Sequence, residues 1–313
     1  YYAPASTGNF TVGFDLLGLA LAPESGALLG DVLEIDSQKP LEQPLLTVSG
    51  RYAHQLPTDP AHNVVQACHQ AFERLLQKPL PKFAMHLQKN LPVGSGLGSS
   101  ACSIVVACHA LNESFGRPLD EQRLLLLMAE CEGGISGSIH FDNVAPSYFG
   151  GLQLMLPHSG RISRRLPWFP HWRVVVCYPG TVVSTKAARD VLPASIARAG
   201  AVEFAGLLSR FVSALYEGDE ADALDGLRDV LAEPHRQALI PELLPLRALF
   251  GEQGIAHLGI SGSGPTLFAV CTTGEQAQTE RVQHRDGGEL TRAVAVEREL
   301  GPGDHDLPVD ERG

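Results

Sequence analysis

Aromatic residues make up only 6% of this 313-residue chain, and Lys and Arg number 24 against 35 Asp and Glu, a formal net charge of −11. A chain so poor in positive charge is not expected to present the broad basic face that binds nucleic acid by counterion release, nor a basic membrane patch. Its ligands should be small. No stretch approaches 18 consecutive apolar residues, and the first residues lack the basic segment and apolar core of a signal peptide. The expectation is a cytoplasmic protein. No C-x-x-C pair occurs among the six cysteines (68, 102, 108, 131, 177, 271), and none of the twelve histidines falls in an H-E-x-x-H pattern. The cysteines read as reduced, buried small hydrophobes, and a zinc site is not expected.

What is present is the composition of a folded, turn-rich enzyme: 44% hydrophobic residues with 32 Gly and 22 Pro. The length suits two lobes. Alternating apolar positions at 31–36 and 83–87 predict half-buried strands, and 152–156 and 173–178 predict two more. Helical periodicity runs through 62–77, 119–132, 184–192, 195–217, 219–232 and 241–253. The turn-rich stretch after Leu156 marks where a second lobe could begin. This gives an N-terminal lobe over 1–155, a C-terminal lobe over 156–271 and a polar segment over 272–313. That last segment is charged and free of aromatics, so it reads as solvated tail as readily as structure, with strand or helix character only at 289–300.

The strongest local signal is Leu91-Pro92-Val93-Gly94-Ser95-Gly96-Leu97-Gly98-Ser99-Ser100-Ala101, set between a strand pattern and an apolar helix. Glycines let backbone N–H groups approach an anion, and a helix start adds about half a positive charge, so the loop is suited to cradle phosphate. Ser99 and Ser100 add hydroxyls for a helix cap, a phosphate oxygen or Mg²⁺. The spacing is not that of a Walker A loop, because no Lys follows Gly98, and the G-x-G-x-G run fits a dinucleotide fingerprint poorly.

A second loop, Glu132 to Pro146, packs Glu132, His140, Asp142 and Asn143 into a Gly/Ser-rich turn, though a solvated helix end and an ordinary loop histidine would look alike. A third, Gly259-Ile260-Ser261-Gly262-Ser263-Gly264-Pro265-Thr266, is again glycine-rich and leads into a strand. With Pro4-Ala5-Ser6-Thr7-Gly8-Asn9 and Gly13-Phe14-Asp15-Leu16-Leu17-Gly18 these loops stand in a characteristic order. In that order and content the sequence, from Tyr2 to about Val270, resembles the GHMP small-molecule kinases, and within them the homoserine kinases.

The resemblance implies an α+β fold of two lobes, the N-terminal one with a left-handed βαβ unit and the C-terminal one ferredoxin-like, with the site between them. It implies transfer of the ATP γ-phosphoryl group to the side-chain hydroxyl of L-homoserine, with Mg²⁺, in a threonine-forming route, by a homodimer. Residues 94–100 and Pro92 would cradle ATP (Gly94, Ser95, Gly96, Leu97, Gly98, Ser99, Ser100), with Asn63 near the adenine and Lys89 reaching a phosphate. Ser100 and Glu132 would hold Mg²⁺. Homoserine would fall to Asn9, Asp15, His140, Asn143, Arg189, Arg236 and Gly262, an acidic group for its ammonium and guanidinium forks for its carboxylate. Taken without the resemblance, both arginines could equally be surface helix charges. Other GHMP kinases use an Asp as base; here Asn143 stands at the position of interest, so in-line transfer without a protein base is expected. A kinase for a polyol, sugar or mevalonate-like alcohol, or a non-catalytic nucleotide or amino-acid sensor, are the alternatives.

Overall fold

The structure is a computed structural model that describes residues 1–36, 41, 45–255, 257–277, 291–297 and 305. Its strands are β1 (Tyr2–Pro4), β2 (Ser6–Gly8), β3 (Leu17–Pro23), β4 (Gly30–Asp36), β5 (Leu45–Ser49), β6 (Ala84–Gln88), β7 (Leu152–Met155), β8 (Ser163–Arg165), β9 (Arg173–Tyr178), β10 (His257–Ile260), β11 (Leu267–Cys271) and β12 (Thr291–Glu297). The helices are α1 (Val64–Leu76), α2 (Ser99–Ser114), α3 (Glu121–Ser136), α4 (Val144–Phe149), α5 (Thr185–Asp190), α6 (Arg198–Glu217), α7 (Glu220–Gly226), α8 (Glu233–Arg236), α9 (Leu243–Glu252) and α10 (Gly274–Ala277). Mixed sheets and helices make the fold α+β.

One sheet has the order β1-β4-β6-β5, with β5 and β6 parallel and joined through α1. The other runs β10-β11-β9-β12-β3-β7-β8, with β2 also on β3. β12 pairs antiparallel with both β9 and β3, so a strand from the polar C-terminal segment ties residues 173–178 to residues 17–23. The strand character at 289–300 is thus realised over 291–297; the rest of that segment beyond 277, apart from 305, lies outside the described residues.

Helix α2 is buried along almost its whole length, from Ala101 to Asn112. An apolar surface on every side marks a central helix, and α1, α3 and β4 pack around it. Small side chains (Ala101, Cys102, Ala107, Cys108, Ala110) permit that close approach. A smaller core forms where Leu243, Leu246 and Phe250 of α9 meet Leu258, Ile260 and Ala269. The few aromatics are concentrated: Phe10 packs on Phe268, Trp168 and Phe211 with centroids 5.1, 5.9 and 6.0 Å away.

Side-chain caps start several of the helices. Asn63 accepts from Val65 N, Asp120 from Arg123 N and Ser184 from Ala187 N. The helix predicted over 219–232 ends at Gly226, which packs closely on α6. A Cβ at Gly226 would come within 3.2 Å of Phe211 N, and Asp229 then accepts from the N–H groups of Leu231, Ala232 and Glu233, turning the chain into α8. That turn delivers Arg236 to the interior.

Candidate active site

The loop between β6 and α2 forms one wall of a cleft of about 630 Å³, a size suited to a nucleotide. Gly96 and Gly98 have φ of 85° and 61°, which side-chain-bearing residues resist. A Cβ at Gly96 would meet Ser261 and Gly264 carbonyl oxygens, and one at Gly98 would overlap Ser6 Oγ. Helix α2 starts after Gly98 with no side-chain cap, so its first amides stand at the cleft, while Ser99 Oγ donates to Leu91 O and Ser100 Oγ to Glu132 Oε1. The loop 261–266 braces this cradle: Ser261 Oγ donates to Gly96 O at 2.7 Å and Thr266 N to Ser95 O at 3.0 Å.

The entry to the loop is pinned from below. Lys89 Nζ donates to Asp31 Oδ2 at 2.5 Å, Ser99 O at 2.8 Å and Ser103 Oγ at 3.0 Å. Asp31 Oδ1 accepts from the N–H groups of Asn90 and Leu91, and both ions are almost wholly buried. Each charge is therefore paired and hydrogen-bonded, the condition under which burial is tolerated.

Beside the cleft lies a polar pocket of about 60 Å³. Glu132, Asn143, Thr185, Gly262 and Ser263 line both spaces, so the two communicate. Asp15 and Arg189 face each other in the pocket, Nη2 to Oδ1 at 2.8 Å, and His140 Nδ1 lies 3.4 Å from Asp15 Oδ2. Arg236 is buried and donates through Nε to Ala188 O and through Nη1 to Gly262 O. Both guanidinium groups lie over the Phe14 ring, at 5.7 and 5.5 Å.

Backbone strain sets the position of Asp15. Asn9, Phe10 and Thr11 have φ of 64°, 37° and 60°, and Asp15 itself 58°. Such a run persists only where surroundings over-determine it. Here Phe10 is clamped in the core, while Asn9 Nδ2 donates to Gly262 O and Asn9 Oδ1 accepts from Asp15 N.

Burial shifts several titratable groups of the pocket, Arg236 among them, which it lowers. Burial, reinforced by the Asp15 carboxylate, pushes Asp142 up to about 7. Burial raises Glu132 as well, against the Ser100 hydroxyl that donates to its Oε1 at 2.7 Å. Burial lowers His140, against the pull of Asp15. Asn143 Oδ1 accepts from Ser6 Oγ at 3.1 Å, which holds the amide where the two spaces join.

The family model described as GHMP kinases N terminal domain matches residues 63–151, and that described as GHMP kinases C terminal matches 211–289. A homoserine kinase structure from Cytophaga hutchinsonii is 32% identical, with 88% of this chain and 86% of that one covered and a TM-score of 0.78. The chain belongs to the GHMP kinase family. Members of this family use ATP. Two other solved structures share the fold. One, from Listeria monocytogenes and provisionally described as a homoserine kinase, is 22% identical (coverage 95% and 96%, TM-score 0.69). The other is L. major mevalonate kinase in complex with R-mevalonate, 17% identical (96% and 96%, 0.64).

In this GHMP kinase Asn9, Asp15, Glu132, His140, Asn143, Arg189, Arg236 and Gly262 all line the small pocket. Lys89, Gly94, Ser95, Gly96, Gly98, Ser99 and Ser100 line the cleft. Pro92, Leu97 and Asn63 are buried and are not among the lining residues; Asn63 instead caps α1, whose flanking His62 and Val64 reach the cleft. Lys89 Nζ is taken up by Asp31, Ser99 and Ser103. Thr185 and Ser263 are further pocket residues without a role expected from the sequence, and Asp142, singled out there only as part of the 132–146 loop, also lines the pocket. The first two had a signal, Thr185 after the Ser184 cap and Ser263 inside the third glycine loop; the perturbation of Asp142 comes from burial and had none.

No helix among the described residues is long and apolar enough to cross a membrane.

Proposed function

We propose that this kinase transfers the γ-phosphoryl group of ATP to the side-chain hydroxyl of L-homoserine, giving O-phospho-L-homoserine. The observation that carries this is the pairing of opposite charges in a pocket that opens onto the nucleotide cleft. An amino-acid zwitterion offers an ammonium to Asp15 and a carboxylate to Arg189, with Arg236 behind, while its side-chain hydroxyl extends toward Asn143. A neutral polyol or sugar has no use for that charge pair. The 32% identical homoserine kinase points the same way.

The donor set at the junction fits Mg²⁺. Ser100 and Glu132 supply hard oxygen ligands, and the buried Glu132 carboxylate is an anion that a cation would neutralise. When bound, Mg-ATP supplies the phosphoryl group and offsets its charge. The protein's own contributions are placement and stabilisation: the amides of the loop and of α2 meet the phosphates, and Asn143 orients the acceptor hydroxyl. No ionising side chain is needed to take the hydroxyl proton early in a loose transition state. Lys89 acts as a positioning residue, holding Asp31 and through it the N–H groups that start the loop. A second mechanistic reading follows from Asp142, which lines the pocket with a pKa near neutrality and would serve as proton acceptor.

Phosphorus NMR of the reaction mixture tests the assignment. The expected product is a phosphate monoester coupled to the methylene protons of the homoserine side chain. An acyl phosphate on the carboxylate, or inorganic phosphate alone, would overturn it.

A further inference from the structure

Three cysteines that no role in phosphoryl transfer requires come together where three helices meet. Cys68 lies on α1, Cys108 on α2 and Cys131 on α3, and their sulfur atoms all lie within 4.8 Å of one another. Tetrahedral thiolate ligation at about 2.3 Å places sulfurs about 3.8 Å apart, so rotation of these side chains by roughly an ångström of sulfur travel would close a site. Cys68 and Cys108 are buried, whereas Cys131 is partly exposed and lines the cleft. That gives an ion a way in and leaves one position facing solvent.

We propose that Cys68, Cys108 and Cys131 form a binding site for a thiophilic divalent ion of the zinc and cadmium class, with three thiolates and a fourth, water-accessible position toward the cleft. The donor chemistry selects the ion. Three sulfurs exclude hard Mg²⁺ and favour a soft or borderline d¹⁰ cation, and three thiolates on a divalent ion leave one net negative charge, which the nearby Arg74 offsets. Sulfur–hydrogen bonds are replaced by sulfur–metal bonds, the protons leave to solvent, and no electron is transferred. The site does not depend on the proposed acceptor substrate.

The experiment is an anaerobic titration of the reduced full chain with Cd²⁺, in excess Mg²⁺, followed by sulfur-to-metal charge-transfer absorption. The expected result is saturation at one equivalent, reversal by Zn²⁺, and a ¹¹³Cd resonance characteristic of three sulfur ligands. Cys131→Ser, nearly isosteric at a partly exposed position, should weaken binding by about 100-fold, and Cys177→Ala, in the other core, should leave it unchanged. Absence of the absorption in the wild-type chain, a resonance showing one sulfur ligand, or unchanged binding by Cys131→Ser would overturn the proposal. The ¹¹³Cd readout needs no variant, so the test stands even if a substitution impairs folding.

Discussion

Asp15 and Arg189, 174 residues apart in the chain, meet at 2.8 Å in the small pocket, each held by its own scaffold. Asp15 is set by the left-handed run at 9–11 and by Asn9, and Arg189 by the short, Ser184-capped α5. The two side chains satisfy one another, and under the proposed function an amino-acid zwitterion would exchange into both contacts.

Arg189→Ala should therefore act on acceptor recognition. Loss of a charge-assisted contact at a partly buried site costs about 2–4 kcal/mol, so kcat/KM for homoserine should fall roughly 30- to 1,000-fold. The KM for ATP should change little. Initial-rate kinetics with each substrate varied in turn separates the two; a rise confined to the ATP KM would contradict the assignment.

Asn143→Ala should lower kcat by about 10- to 1,000-fold, since the amide orients a reacting group. If transfer proceeds without a protein base, the pH–rate profile of the wild-type enzyme has no limb that disappears on substituting Asp142. A limb near pH 7 that is abolished in Asp142→Asn would instead assign the proton to that carboxyl.

Asp142 also carries a stability prediction. Its folded-state value of about 7 lies above the ordinary 3.8, so the native protein holds this proton more tightly than the unfolded chain. The resulting stabilisation is present below about pH 4 and is lost as pH rises through 7. Asp142→Asn should consequently raise stability at pH 8 by on the order of 1–4 kcal/mol, with the gain vanishing toward pH 4. Denaturation midpoints measured across that range check it, and a gain independent of pH would refute it.

Lys89→Met should leave the buried Asp31 carboxylate without its cation and cost about 3–5 kcal/mol in urea unfolding. The double variant with Asp31→Asn should recover part of that loss. A Lys89 that contacted phosphate would instead lower kcat while leaving stability intact.

The sequence shows the site well where a short motif builds it. The Gly94–Ser100 loop, the 132–146 loop and the 259–266 loop each carry their own backbone requirement in glycine and serine, and the structure brings all three to one place. Arg189 and Arg236 were legible only by resemblance, because their local contexts are those of ordinary helix charges. The thiol cluster was illegible, since its members come from three separate helices and no spacing links them. Helix α7 stops short and Asp229 turns the chain by accepting from the N–H groups of Leu231, Ala232 and Glu233, side-chain bonds that periodicity does not record. Likewise the polar stretch containing β12 supplies a central strand, paired on both sides, whose placement depends on β3 and β9.

The most direct measurement is Mg-ATP-dependent ADP release by the purified chain with L-homoserine, set against L-threonine, L-serine, mevalonate and galactose. The account predicts that kcat/KM for homoserine exceeds that for mevalonate and galactose by at least about 100-fold, as expected where paired charges reject ligands that leave them unpaired, and also exceeds that for L-threonine and L-serine, whose hydroxyls stand one carbon closer to the zwitterion. Preferred turnover of mevalonate or galactose, or binding of ATP and homoserine with no ADP released, would contradict it.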